Sequence, residues 1–410
     1  MWSWKNILAS TWIIAVVAVV FVKGIIPGWQ EGRSDFSNYY ASAVLLSNGE
    51  SISDFYDNDW FSEKAIDVGE MGGAKFAPFP PTTAFLYLPL VVLNPPQAKR
   101  AWLICNLLFL VILAFQLKAI CNLTWFELIF ILGLFCIPIA SNIKLGQSYL
   151  LFTVFITSFI KGSIKGKQLL GPSLLGFAAS LKYFPLVYLV YGLPAINKKH
   201  LFIFSIVVIS SLILPVFFFG ISPYQAFFGE FWNHLNGNLS GQGQFSVTFQ
   251  SIDVLLANLF IYDLEQNPMV WIDAPYLKAV IKIVFALVII FFSAQSLKTG
   301  VEKTKELSLG ILVIGASLLI PASATYHFLF LIPALLLALA WLKDHEISKK
   351  IITGVIVLVF FICNLLAHNI PGIQSYYVLN VLVHFPRLFG LLMLFILLIV
   401  VQKRYLRENV

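Results

Sequence analysis

Charge is scarce in this chain. Only 11% of its 410 residues are charged and 59% are hydrophobic, where soluble domains carry about a quarter charged residues. No polar stretch is long enough to fold as a soluble domain, which excludes a soluble enzyme on a membrane tail. The same shortage excludes disorder and nucleic-acid binding as the main business of the chain. Cysteine is scarce as well. Cys105, Cys121, Cys136 and Cys363 lie in or beside apolar runs, none in a C-x-x-C pair. They read as small buried hydrophobes rather than disulfides or metal ligands. No internal repeat or low-complexity linker is visible. The first apolar run, Ile7 to Ile26, lacks the small-x-small site of a signal peptide and is long enough to span, so it reads as the first membrane helix.

What is there in abundance is apolar sequence. A helix crosses a bilayer with about 20 apolar residues, so this length allows roughly ten to thirteen crossings. The expected fold is an all-α polytopic membrane protein, with residues 1–410 as one membrane-embedded domain. The net charge of +7 mainly reports loop topology.

Lys and Arg mark the cytoplasmic side. Basic clusters occur at Lys161 to Lys167, Lys198-Lys199, Lys298 to Lys305, Lys343 to Lys350, and Lys403, Arg404 and Arg407. Two long segments are different. Residues 27–80 carry nine acidic and three basic residues, and residues 222–273 carry five acidic residues and no Lys or Arg. Both are placed outside, with both termini inside. Spans are expected near 98–118, 125–141, 148–161, 200–219, 276–297, 307–320, 325–341, 350–368 and 378–402. The segment Leu169 to Ile196 starts and ends at inside clusters with Lys182-Tyr-Phe-Pro185 in its middle. Two half-helices meeting at an outward apex satisfy the parity, and irregular backbone is tolerated where it lines a cavity. The short Pro-flanked piece at Phe85 to Leu93 is not expected to cross fully.

Under this topology several polar residues collect on the outer side. Asp35 follows the first helix. It is either the N-cap of an interfacial helix over Phe36 to Leu46 or a carboxylate at a cavity lip, suited to take a proton from a hydroxyl. Asn142-Ile-Lys144-Leu-Gly-Gln147 is a polar turn between spans. Lys182 sits at the apex of the broken segment, Pro321-Ala-Ser323-Ala-Thr-Tyr-His327 joins two spans, and Arg387 lies inside the last span. Ionisable residues within spans line polar cavities or pathways. Lys278 and Lys282, at a span edge, are read as snorkelling. Asp54, Asp57 and Asp59 read as solvated or capping. A base and several cations at headgroup depth suit a phosphate or pyrophosphate carried on a lipid. That pattern alone fits an enzyme or a transporter.

Four groups of residues carry a family resemblance. They are Asp35 with Tyr39-Tyr40-Ala, Leu46-x-x-Gly49 and Phe55-Tyr56-Asp57; Phe76-x-Pro78-x-Pro80-Pro81 with Leu88-Pro89-Leu90 and Trp102; Asn142-x-x-Leu145-Gly146-Gln147-x-x-x-Leu151 with Gly176 and Leu181-Lys182-x-x-Pro185; and Pro321-x-Ser323-x-x-x-His327. In this order the chain resembles the GT-C superfamily of membrane glycosyltransferases. Within it, the chain is similar to glycosyltransferase family 87, relatives of the mycobacterial phosphatidylinositol-mannoside mannosyltransferase. The resemblance implies a GT-C bundle with interfacial helices in the first outer loop, and an inverting transfer of hexose, mannose above all, from a polyprenyl phosphate. The acceptor would be lipid-linked or part of the cell envelope, at the outer, periplasmic face of a bacterial plasma membrane. Asp35 would be the catalytic base. Lys182 and His327 would lie near the donor phosphate or sugar, and Gln147 and Asn142 would help shape the site; apart from the resemblance, Arg387 is added to the donor-binding groups, and Tyr39, Lys144 and Ser323 to the site-shaping ones. No metal or other cofactor is implied, and the expected partners are the donor, the acceptor and membrane lipids. The family's usual Tyr-Pro-Pro is Phe79-Pro80-Pro81 here, and the second outer loop, including Asn236 to Ser240, departs from its pattern.

The main rival is a secondary transporter or flippase, since broken helices and intramembrane charges serve those too. The clustering of ionisable groups at one face and the absence of an inverted repeat count against it. A membrane acyltransferase is a third reading, resting on His327.

Overall fold

A computed structural model of the chain describes residues 4–30, 32, 34–69, 73–76, 78–165, 169–192, 198–235, 243–299, 303–365 and 377–409. The expectations for Lys167, for Asn236 to Ser240 and for residues 366–368 fall outside them. The described residues form helices joined by short turns, with no β-strand among them. The first helices are α1 (Trp4–Val20), α2 (Ile26–Gln30), α3 (Phe36–Ser47), α4 (Asn58–Asp67), α5 (Thr83–Leu86) and α6 (Pro95–Ile120). There follow α7 (Trp125–Gly133), α8 (Cys136–Leu145), α9 (Tyr149–Lys165), α10 (Leu170–Leu181), α11 (Leu186–Gly192), α12 (Lys198–Phe219) and α13 (Ser222–Leu235). The remainder are α14 (Ile252–Phe260), α15 (Pro275–Thr299), α16 (Lys305–Leu318), α17 (Ile332–Asp344), α18 (Lys349–Asn364), α19 (Tyr377–Val383) and α20 (Pro386–Asn409).

Six helices among the described residues are long and apolar enough to cross a membrane, or seven if the bent pair α7 and α8 is one span. That is fewer than the ten to thirteen crossings that length allows. The difference lies in shorter apolar helices such as α9 and α10. The fold class is nonetheless the expected one, an all-α polytopic membrane protein.

The chain divides into two compact units, residues 1–120 with 139–240, and residues 121–138 with 241–410. In the first, α10 packs on α9 and α12, and α9 packs on α6. The first helix continues from α1 to α2 through one π turn, Phe21–Ile25. Gly24 lies in this turn because a Cβ there would stand 2.9 Å from the Ala140 Cα of α8. In the second unit α16 packs on α15, α17 and α20, and α18 packs on α20. The segment Thr325–Asp344, which includes α17, is 83% buried and forms the middle of that unit.

Three expectations change in detail. The helix after Asp35 forms as α3, but Phe36, Tyr39, Tyr40 and Leu45 are buried in the first unit's aromatic cores rather than spread along a surface. The span expected over 378–402 is broken between α19 and α20, because Pro386 opens α20 and supplies no N–H to the preceding turn. Arg387 therefore lies in the first turn of α20, at the very start of the span Pro386–Glu408 rather than in its middle. The span expected over 125–141 is interrupted between Gly133 and Cys136. The break at Lys182 to Pro185 is seen where the sequence places it, between α10 and α11. Residues Phe85 to Leu93 make only α5 and a 3₁₀ turn at Leu88–Leu90. Asp57 caps α4, accepting from the backbone N–H groups of Asp59 and Trp60.

Candidate active site

The site is built on the turn between α8 and α9. Gly146 has φ +68°, the left-handed region that favours glycine, and a Cβ there would stand 2.7 Å from the Cβ of Phe36. The tight turn brings Gln147 against the start of α3. Asn142 holds the turn from inside: its carbonyl accepts from the Gln147 N–H at 2.9 Å and its Oδ1 accepts from the Tyr149 N–H at 3.1 Å. Its Nδ2 donates to Asn106 Oδ1 at 2.8 Å, and Asn106 Nδ2 donates to the Trp102 carbonyl at 3.1 Å. Asn142 and Asn106 are fully buried, so this chain satisfies amides that would otherwise be costly. Trp102 Nε1 donates to the Gln147 carbonyl at 3.3 Å.

The Gln147 side chain then links α3 to the carboxylate before it. Its Nε2 donates to Asp35 Oδ2 at 2.6 Å, and its Oε1 accepts from the Tyr39 hydroxyl at 2.6 Å. Asp35 sits at the N-cap position of α3 without making a side-chain cap. The carboxylate is turned to Gln147 instead, and a hydrogen bond to its charged form favours that form. Tyr39 stacks between Phe79 and Tyr87, with ring centroids 4.9 and 4.8 Å away.

Lys182 reaches the same place from the linker between α10 and α11. Its Nζ lies 3.9 Å from the centroid of the Phe79 ring and 5.7 Å from that of Tyr149. Among the described residues this ammonium makes no hydrogen bond and no ion pair. Crowding by protein atoms holds it below the ordinary lysine range, and the charge of Asp35 pulls it back up. A carboxylate and a cation thus share one aromatic-walled site. Lys144 lies in the last turn of α8, half-buried.

Ser323, His327 and Arg387 belong to the second unit. His327 Nδ1 accepts the backbone N–H of Ala324 at 3.1 Å, so the neutral ring carries its proton on Nε2. The Ser323 hydroxyl is buried without a protein partner among the described residues. Arg387 is buried and occupied by protein. Its Nε donates to the Leu365 carbonyl and its Nη1 to the Thr325 hydroxyl, both at 2.6 Å. Its backbone N–H donates to Gln250 Oε1 at 3.1 Å. Gln250 Nε2 in turn donates to the carbonyls of Val247 and His384, and the Gln250 N–H donates to the Ser323 carbonyl at 3.1 Å. Lys278 and Lys282, read above as snorkelling, pair with Asp253 at 3.4 and 3.1 Å.

Sequence reasoning missed Asn106, Phe79, Tyr87, Tyr149 and Gln250 as parts of these networks. Asn106 had a signal, an amide in the middle of an apolar helix, and the Phe79 ring stands where the resemblance notes a substitution. Among the described residues no group of three His, Cys, Asp or Glu could hold a metal ion.

A polytopic membrane protein with a carboxylate and a cation that no described residue hydrogen-bonds, on an aromatic wall, is the class that fold and site define. The profile of glycosyltransferase family 87 matches residues 76–321, more than half of the chain. The chain belongs to glycosyltransferase family 87, as the motifs suggested. No match is found among curated proteins or solved structures. The matched residues include Asn142, Gln147 and Lys182; Asp35, Tyr39, Ser323, His327 and Arg387 lie outside them. Membership favours the glycosyltransferase over the transporter and the acyltransferase.

Proposed function

We propose that this glycosyltransferase is an inverting hexosyltransferase that takes its sugar, with mannose first in expectation, from a polyprenyl phosphate. It passes the sugar to a lipid-linked or cell-envelope acceptor at the outer face of a bacterial plasma membrane. The observation that carries the reading is that Asp35 and a Lys182 ammonium that no described protein group hydrogen-bonds share one aromatic-walled site. A phosphate on a lipid brings its own leaving group, so the protein need supply only a base, a frame and a cation. The Asp35 carboxylate takes the proton of the acceptor hydroxyl. The oxygen forms its bond to the anomeric carbon while the bond from that carbon to the phosphate oxygen breaks on the opposite face. The electron pair leaves with the phosphate, where the Lys182 ammonium meets the growing negative charge. Gln147 and Tyr39 hold the carboxylate in place. The reaction so written needs no metal and no cofactor.

His327 Nε2–H and the Ser323 hydroxyl are suited to hydrogen-bond donor oxygens, and each role is tested by its own variant. Arg387 is reassigned in this reading. Its guanidinium spends its donors on protein acceptors, so it holds its unit together rather than gripping phosphate.

The test is transfer of labelled sugar from short-chain polyprenyl-phosphate mannose by purified protein in detergent, with membrane extract as acceptor. Wild type should transfer sugar or hydrolyse the donor, and a folded Asp35→Asn protein should do neither. Full activity in Asp35→Asn removes the assigned base. No turnover by folded wild type with mannose, glucose or arabinose donors removes the donor class.

A further inference from the structure

The helix α13 lies outside the candidate spans, yet its face resembles a span. It follows α12, a helix long and apolar enough to cross a membrane, whose exposed residues Phe202, Ile206, Ile209, Ile213 and Phe217 form one apolar stripe along its length, as lipid contact requires. The chain then turns at Gly220, with φ +68°, and α13 starts at once. Its start is therefore at the membrane boundary by chain length alone. It also folds back: the Tyr224 hydroxyl donates to the Leu212 carbonyl of α12 at 2.8 Å, seven residues before α12 ends. A rise of about 1.5 Å per residue puts that carbonyl roughly 10 Å below the end of the span.

One side of α13 is held by protein. Phe227 packs on Tyr56, and Phe231 meets the edge of Tyr183, the residue after Lys182. The next side presents Ile221, Gln225, Phe228 and Trp232, which share a helix face. Phe228 is 60% exposed and Trp232 65%. Leaving such side chains in water forgoes the gain of burying their apolar surface. Beyond them lie Ser222, Gly229 and Asn233, small or polar and exposed.

We propose that α13 lies in the membrane interface, with Ile221, Phe228 and Trp232 among the lipid acyl chains and Asn233 towards water. The occupant of this face is the bilayer itself, continuous with the lipid that covers α12. Most interfacial helices add basic residues to reach anionic lipid. The described part of α13 has Glu230 and no Lys or Arg, so its anchoring rests on apolar burial. Through Phe231 and Tyr183 the helix braces the linker that carries Lys182. The inference does not depend on the reaction proposed above.

The test places a nitroxide at Phe228→Cys, and separately at Asn233→Cys, in the full chain in phosphatidylcholine nanodiscs. Wild type is labelled in parallel, since Cys105 is partly exposed. Collisions with oxygen, which concentrates in lipid, are compared with collisions with a water-soluble nickel chelate. The label at 228 should meet oxygen severalfold more than nickel, and the label at 233 the reverse. Adding phosphatidylglycerol should leave both ratios unchanged. Preference for nickel at 228, or access to neither reagent, overturns the proposal, and so does immersion that appears only with anionic lipid. Trp232→Cys repeats the measurement should Phe228→Cys fold poorly.

Discussion

Lys182 in the first unit and Arg387 in the second are both cations placed where water is scarce, and they are treated in opposite ways. The Arg387 guanidinium donates to the Leu365 carbonyl and the Thr325 hydroxyl, while its own N–H donates to Gln250. Among the described residues the Lys182 ammonium meets the faces of Phe79 and Tyr149 and the charge of Asp35, with no hydrogen bond. An aromatic face steadies a cation without consuming its hydrogen bonds. From sequence the two residues look alike, each a lone charge in apolar surroundings. The difference is that one has its donors spent on the fold and the other makes no hydrogen bond to any described residue.

The sharpest way to break this comparison is to remove each cation and ask what is lost. Lys182→Ala should reduce transfer on the order of 10²- to 10³-fold, as for loss of one donor to a developing oxyanion. Its thermal midpoint in detergent should barely move. A midpoint that falls with the activity would make Lys182 a structural residue and dissolve the contrast. Arg387→Ala should do the converse. It strands the buried remainder of the arginine's network and leaves the part-buried acceptors at Leu365 and Thr325 without their donor; a fully buried acceptor so left costs roughly 1–3 kcal/mol. A large drop in thermal midpoint is expected, with residual transfer per folded molecule. Unchanged stability with lost transfer would return Arg387 to the donor site.

Much of this was legible in the sequence, for identifiable reasons. Long apolar runs fix α6, α12, α15 and α20, because only a helix satisfies its backbone within lipid. The break at Lys182-Tyr-Phe-Pro185 was legible because proline and a charge interrupt an apolar run. The position of Gln147 next to Asp35 was not, since the two are 112 residues apart in the chain and no spacing rule joins them. Pro386 carried the break before α20, but the apolar residues on either side of it outweigh one proline in a hydropathy reading. The α3 helix was expected at an interface because its apolar residues are spread around it. They are spread because aromatic cores surround it on several sides.

Within the first unit the contrast can be tuned. Gln147 Nε2 donates to Asp35 Oδ2, and a bond of that kind favours the charged carboxylate. Gln147→Leu removes a bond to a charged group, worth about 1.5–3 kcal/mol, and one pKa unit is about 1.4 kcal/mol. Losing stabilisation of the charged form raises the pKa. The acid limb of the transfer profile should therefore move up by roughly one to two pH units, with activity recovered at higher pH. A limb that does not move would show that Asp35 is not the group titrating there.

The smallest effect belongs to Tyr39. Its hydroxyl donates to Gln147 Oε1 and so touches Asp35 only through the amide. Tyr39→Phe keeps the ring stacked between Phe79 and Tyr87 and removes one neutral hydrogen bond, worth about 0.5–1.5 kcal/mol. Transfer should fall less than tenfold, and the acid limb should shift in the same direction as in Gln147→Leu but by less. The order of the two shifts is the informative quantity, because an amide tethered from both ends holds the carboxylate better than one held from a single end. If Tyr39→Phe moved the limb as far as Gln147→Leu, the hydroxyl itself would be acting on Asp35, and the amide would be a spacer rather than the donor.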